Sequence, residues 1–344
     1  MAYKSYTDLK RKGVYIVKNI LKRATPKMAI SLISGQDSVE LPLNSGKTVN
    51  FVRFERLALG VTLPEVSNNL GGTALGYTDV AQTQYEVTLQ KVGAHVILSK
   101  DAINFAEDMV DERTVELLQE QFAETLETRE FNILKTCPQQ FFANKVAGES
   151  TVNKKVSVAD LRRVTSFLNR NNAMEISKVT SSSINYGTES TKEAFFALYH
   201  PDLDADLYDL PGFIGREKYG AQKYFEMESG QHEHIRFLKS TIYDKYTLNS
   251  DGVNGTGATV GDGSVEVGAN GKAFVYPIVV VARGAFNKVS PKGMGALKIN
   301  IGSGGVNNVN PYDDSVVFSW TTYTALCITN EKFIATLNVA RGTF

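Results

Sequence analysis

The sequence predicts an α+β fold, with one long helix, a second shorter one, and strands that lean towards antiparallel pairing. Three observations carry this. Residues 107–136 hold apolar side chains at helical spacing. Runs of alternating or wholly apolar residues recur from residue 47 towards the C-terminal end. Polar stretches rich in Gly, Asn, Ser and Thr separate them, with no internal repeat and no heptad run.

In chain order, the first 46 residues read as an arm. Residues 14–21 suit a short helix, and Pro26, Gly35 and Pro42 interrupt the rest. Residues 47–57 (KTVNFVRFERL) alternate as a strand, with Val49 and Phe51 opposite Val52 and Phe54. A second alternating run, Tyr85 to Leu89, continues past Gly93 into His95–Leu98. A polar stretch, Ser67 to Gly76, lies between the two strands. Strands joined by so long a connection predict an extended hairpin projecting from the body. Its exposed edges would be a liability on a monomer and useful on an assembling subunit.

The helix at 107–136 places Val115, Leu118, Phe122, Leu126 and Ile133 on one face, puts Glu116, Glu120, Glu124 and Glu127 elsewhere, and stops at Pro138. A second helix starts at Ser157, with Asp160 three residues on and Leu161, Val164 and Leu168 as its apolar face; Asn171-Asn172 ends it. Residues 193–199 predict a buried strand, and Pro201 opens a short helix that ends before Pro211-Gly212. Further strands are expected at 235–243, 273–283, 297–301, 316–329 and 333–339, with a flexible Gly-rich loop at 252–271.

Composition limits the function classes. A chain of 344 residues can bury a substantial core in two or more lobes. Its 37 basic and 37 acidic residues cancel, so no global field argues for a nucleic acid or a membrane. The distribution is uneven. Residues 1–27 hold Lys4, Lys10, Arg11, Lys12, Lys18, Lys22, Arg23 and Lys27 against Asp8, which leaves 29 basic and 36 acidic residues in the remainder. Such an arm suits an anionic partner or a neighbouring subunit. Two distant cysteines, Cys137 and Cys327, read as reduced thiols, with Cys327 in the core. No signal-peptide layout and no run of ~20 apolar residues is present, so a soluble protein made in the cytoplasm is expected, with no membrane partner.

Reactive motifs are incomplete. Gly46-Lys47-Thr48 ends like a phosphate-binding loop, but Leu41 stands where its first Gly belongs and a strand follows. Asp202, Asp204 and Asp206 open like a calcium loop, yet Leu207 and Phe213 occupy its Gly and closing Glu positions, so a solvated helix face is the expectation. His232-Glu233-His234 would set two imidazoles on one side of a strand, without a defined third metal ligand. Gly255-Thr256-Gly257 lacks the third Gly of a dinucleotide fingerprint, since residue 260 is Val. No catalytic residue, cofactor or metal is therefore expected.

An ordered series of segments does carry a resemblance. It comprises residues 47–57, 82–100 and the helix at 107–136, then YHPDLDADL at 199–207, GQHEHIRFLKST at 230–241, YPIVVVARGAF at 276–286 and NPYDDSVVFSWTTYTALCITN at 310–330. From about residue 40 onward, this order resembles the major capsid proteins of tailed phages, in particular the podophage family typified by coliphage N-four. The resemblance implies the Hong Kong 97 capsid fold: an N-terminal arm at 1–46, an extended hairpin (E-loop) at 47–100, a peripheral domain with its spine helix at 101–156, an axial domain at 157–305, and a return to the peripheral domain at 306–344.

It also implies a coat protein that forms hexamers and pentamers of itself around a double-stranded DNA genome, contacted without sequence specificity. The expected location is the virion capsid, assembled in the bacterial cytoplasm. Scaffolding, portal and cement proteins are the other implied partners. Candidate inter-subunit residues on the hairpin are Phe51, Arg53, Phe54, Ser67, Asn68, Asn69, Gly71, Gly72 and Tyr77. Lys10, Arg11, Lys12, Lys18, Lys22 and Arg23 form the candidate basic face of the arm. The alternatives are an encapsulin-like nanocompartment shell and a metal-dependent hydrolase built on His232, His234 and the Asp202–Asp206 acids.

Overall fold

A computed structural model describes residues 28–33, 38–42, 44, 46–57, 59, 80–105, 110–176, 179–183, 187–190, 193–219, 225, 227–243, 264–267, 271–292, 298–303, 305–306 and 311–343. In chain order, the helices are α1 (Ile30–Ile33), α2 (Lys100–Phe105), α3 (Val110–Lys135), α4 (Val158–Arg170) and α5 (Asp204–Tyr208). The first eight strands are β1 (Ser38–Leu41), β2 (Thr48–Phe54), β3 (Gln82–Thr88), β4 (Gln90–Ser99), β5 (Gln140–Phe142), β6 (Val179–Ser183), β7 (Gly187–Ser190) and β8 (Phe195–Tyr199). They continue with β9 (Ile214–Gly215), β10 (Glu228–His232), β11 (Ile235–Lys239), β12 (Val275–Val281), β13 (Phe286–Pro291), β14 (Lys298–Ser303), β15 (Ser315–Ile328) and β16 (Ile334–Ala340).

The largest sheet has seven strands in the order β5-β16-β12-β8-β11-β10-β9. Its central strands are apolar almost throughout because both faces are covered, so every second residue serves a different core. In β8, Phe195, Ala197 and Tyr199 join one core and Phe196 and Leu198 the other. In β12, Ile278 and Val280 face the first core, while Val279 and Val281 face the second. The first core is closed by α4 through Leu161, Val164 and Leu168. As expected, Ser157 caps α4: the Asp160 amide donates to its hydroxyl oxygen at 3.3 Å, and the hydroxyl donates to Asp160 Oδ2 at 2.6 Å.

The second core is closed by α1 and the C-terminal half of α3, through Ala29, Ile30, Phe131 and Leu134. The N-terminal half of α3 packs elsewhere. Leu118, with Val115 and Phe122 beside it, meets Leu98, Phe318 and Trp320 of β4 and β15. Leu118 and Phe131 are separated by roughly 220° around the axis at ~100° per residue, so the helix buries nearly opposite faces at its two ends. This corrects the single-face expectation. Ile133 is exposed, and Glu127, expected on the polar side, is buried. Residues 106–109, at the expected start of the helix, lie outside the described set.

Strand β15 is the second long element. Residues Ser315–Thr324 pair antiparallel with all of β4, and Ala325–Ile328 pair with β13, which in turn pairs parallel with β1. Cys327 on β15 is half-buried, short of the core position expected of it, whereas Cys137 is buried beside Thr336. Burial pushes both thiols upward in pKa. Strands β2 and β3 form a separate two-stranded ribbon, and β6 and β7 form another.

Among the described residues, several buried charges are paired. Glu228 and Arg236 are both fully enclosed, with Arg236 Nε donating to Glu228 Oε1 at 2.7 Å. Tyr219 donates to the same carboxylate oxygen at 2.7 Å, and the Phe225 amide donates to the other oxygen at 3.1 Å. The three aspartates are not a solvated face. Asp202 accepts from Tyr276 at 2.6 Å, Asp204 accepts from Tyr199 and pairs with Lys239 at 2.6 Å, and buried Asp206 accepts from the Gly342 amide at 2.8 Å. Tyr199 is a near neighbour in sequence, but the partners on β11, β12 and the C-terminal segment are distant.

The His-Glu-His segment also departs from expectation. Since His232 pairs with Ile235, Glu233 and His234 form a two-residue hairpin turn, and Glu233 takes the left-handed conformation (φ 52°). The imidazoles therefore do not share one face of a strand. His232 is buried and donates from Nε2 to the Pro211 carbonyl at 3.2 Å; His234 lies 2.9 Å from Glu175. Arg162 holds the turn from α4 through Glu233 at 2.6 Å.

Two outcomes follow from this packing. Leu118→Ala should cost about 2–5 kcal/mol, the range for a buried Leu truncation, measured by denaturant midpoint. The intrinsic fluorescence of Trp320, the single tryptophan, should report the loss because Trp320 lies in the same small core. Second, Tyr199, Tyr219 and Tyr243 are all raised in pKa, first by burial and then by the carboxylates they donate to. The unfolded phenols lose their protons near pH ~10 while the folded ones keep theirs. Stability present below about pH 10 should therefore fall as pH rises beyond it, checked by denaturation between about pH 8 and about pH 11.

Candidate assembly surfaces

The β2–β3 ribbon is registered residue for residue from Thr48↔Thr88 to Phe54↔Gln82. Alternation gives it two unlike faces. Val49, Phe51 and Arg53, with Thr83, Tyr85 and Val87 opposite them, are half-buried; the intervening residues are exposed. A ribbon of two strands is marginal by itself, and polar links supplement its inner packing. Arg53 donates to Glu55 at 2.7 Å and to the Thr329 carbonyl, just beyond β15, at 3.2 Å. Its guanidinium also lies 5.4 Å from the centre of the Tyr85 ring. Thr83 donates to Glu55 at 2.8 Å, and these two donors hold the Glu55 carboxyl below the usual carboxylate range. Arg53 is thus the ribbon's tether to its own body.

The outer face is polar near the base of the ribbon. Thr48 and Thr88 hydroxyls lie 3.2 Å apart, and Asn50 donates to Gln84 at 3.1 Å. Towards the far end it becomes apolar. Val52, Phe54 (67% exposed), Leu57, Leu59 (83% exposed) and Val80 all meet solvent there. Of the residues expected to contact neighbours, Phe54 therefore points outward, while Phe51 and Arg53 turn towards the body. Val52, Leu57, Leu59 and Val80 were not singled out from the sequence. For Val52 the signal was present in the alternation that it shares with Phe54.

Ser67, Asn68, Asn69, Gly71, Gly72 and Tyr77 lie outside the described residues, as do Lys10, Arg11, Lys12, Lys18, Lys22 and Arg23 and most of the loop at 252–271. Among the described residues, other exposed apolar side chains include Phe105, Ile301, Val306 and Tyr312. Lys100 binds Asp313 at 2.6 Å, which ties the start of α2 to the segment carrying Tyr312. No group of three or more His, Cys, Asp or Glu side chains among the described residues is arranged to hold a metal ion. No helix among them is long and apolar enough to cross a membrane.

No protein-family model and no curated protein matches the sequence. Solved structures do match the fold, over the whole chain. The capsid asymmetric unit of cyanophage Pam1 aligns with a TM-score of 0.66 at 11% identity, covering 100% of both chains. The acid-stable capsid of Helicobacter pylori bacteriophage KHP30 aligns at 0.61 and 9% identity, covering 99% of each. The capsid of Ralstonia phage GP4 aligns at 0.61 and 8% identity, covering 99% of this chain and 98% of that one. At such identities the likeness is one of fold, and this chain has the mixed α+β, Hong Kong 97-like fold of these phage capsid proteins.

Proposed function

We propose that this chain is the major capsid protein of a tailed phage, assembling into hexamers and pentamers that enclose a double-stranded DNA genome. The observation that carries the proposal is the end-to-end likeness to capsid subunits, with neither chain leaving a substantial segment unaligned. The sequence order that resembles the podophage family supports the same reading. In it, residues 1–46 are the N-terminal arm, 47–100 the E-loop, α3 the spine helix, 157–305 the axial domain and 306–344 the return to the peripheral domain. The shell itself is the product, so the function requires no catalytic group.

The ribbon supplies the physical means. Its apolar end, Val52, Phe54, Leu57, Leu59 and Val80, is suited to burial against a neighbouring subunit. Fully burying one such side chain is worth ~1.5–3 kcal/mol before the ordering cost of association. Contacts of that size can be broken and remade during growth, while a closed lattice multiplies them. Strand edges add backbone hydrogen bonds to a neighbour. The basic residues of the arm would face packaged DNA or another subunit through charge alone. Scaffolding, portal and cement proteins would complete the particle, with assembly in the host cytoplasm.

The full chain, expressed alone or with its scaffold, should form capsomer rings or closed shells in sedimentation and negative-stain electron microscopy. A chain that stays monomeric under both conditions would sink the proposal. Deleting residues 67–76 should leave a folded subunit that cannot close shells. Phe54→Asp should weaken assembly while leaving the denaturation midpoint within about 0.5 kcal/mol of the parent, as is usual for a surface change.

A further inference from the structure

Helix α1 begins without a cap of its own. The residues at its start are Met28 and Ala29, with no Ser, Thr, Asp or Asn to accept the first free amides. The acceptor comes from a distant helix. Glu127 Oε1, buried on α3, receives the Ala29 amide at 2.7 Å and the Ile30 amide at 2.8 Å, and the Tyr243 hydroxyl donates to the same oxygen. Ala29, Ile30 and Tyr243 are fully enclosed. Phe131, four residues along α3, stacks on Tyr243 with ring centres 4.6 Å apart. Three donors from two segments thus converge on one carboxylate oxygen in the second core.

We propose that Glu127 is the latch that sets where the N-terminal segment joins the body. The geometry uses Glu127 Oε1 purely as an acceptor. A negative oxygen makes charge-assisted bonds roughly twice as strong as those of a neutral amide. Residues 28–30 are the first described residues after 27 that carry eight of the chain's basic side chains. Fixing their peptide groups from inside the core fixes the point at which that basic segment joins the body. A neighbouring acid gives the latch a second tie: Glu130, also buried, pairs with Lys288 of β13. The two carboxylates on α3 therefore bind the helix to α1, to the segment after β11 and to β13. The latch stands on intramolecular geometry and does not depend on the capsid proposal.

The test is hydrogen exchange of the full-length chain, followed by mass spectrometry on peptides covering residues 28–33. Glu127→Gln preserves shape and removes the charge. It should speed exchange there by about tenfold or more, the equivalent of one lost charge-assisted bond. Peptides from β8 and α4 serve as references and should change little. Tyr243→Phe removes one donor and leaves both backbone bonds, so it should produce a smaller change than Glu127→Gln. Unchanged exchange at 28–33 in Glu127→Gln would overturn the proposal. Equal acceleration at 28–33, β8 and α4 would also overturn it, because Glu127 would then stabilise the core generally and not position this segment.

Discussion

The rest of the structure depends on one constraint: α3 must satisfy two cores on opposite sides of its own axis. Its first half lies on Trp320 and Phe318 of β15, and its second half lies on the seven-stranded sheet beside Tyr243. Neither contact can be lost separately without exposing a face that the other half does not need. A helix loaded in this way ties the β4–β15 sheet to the larger sheet as a rigid strut. Strand β15 adds a parallel constraint, since its 14 residues pair with β4 along one part and β13 along the other.

Buried polar groups supply the specificity that apolar packing lacks. The Glu228–Arg236 pair sits in a site that water does not reach, and such pairs seldom add net stability over an apolar substitute. Each of its members is nonetheless costly to leave alone. The alternative registers of β10 against β11 would break a charged contact as well as a backbone ladder. The same holds for the aspartates of the 199–207 segment. Each of the three acids reaches a different element, so the short helix α5 is positioned by β11, β12 and the C-terminal residues together.

Against this body, the β2–β3 ribbon stands out by the apolar side chains it leaves exposed. Its inner face is tethered through Arg53, and its far end presents apolar side chains to solvent. A folded monomer gains nothing from that arrangement, and long exposed ribbons invite pairing with other chains. In a protein that builds a shell, such pairing is the intended outcome. The fold is shared with phage capsid subunits, and the unlike faces of the ribbon are a separate observation.

Local patterns were legible in the sequence. The cap at Ser157, the wholly apolar β8 and β12, the alternating ribbon strands and most of the length of α3 all follow from rules that operate within a few residues. The order of segments also indicated the fold, which the likeness to solved capsid structures bears out. What the sequence left open was non-local. Helical periodicity identifies a stripe but assumes that one partner covers it, so Ile133 was placed inside and Glu127 outside. A run of acids in Asp202, Asp204 and Asp206 looks solvated until Lys239, Tyr276 and Gly342 arrive from elsewhere in the chain. Glu233 was read as a strand residue because the turn it makes is set by the pairing of His232 with Ile235. Short-range sterics and capping determine which elements form. Only tertiary contacts decide which side of each element is buried, because the cost of burying a charge depends on partners that the local sequence does not contain.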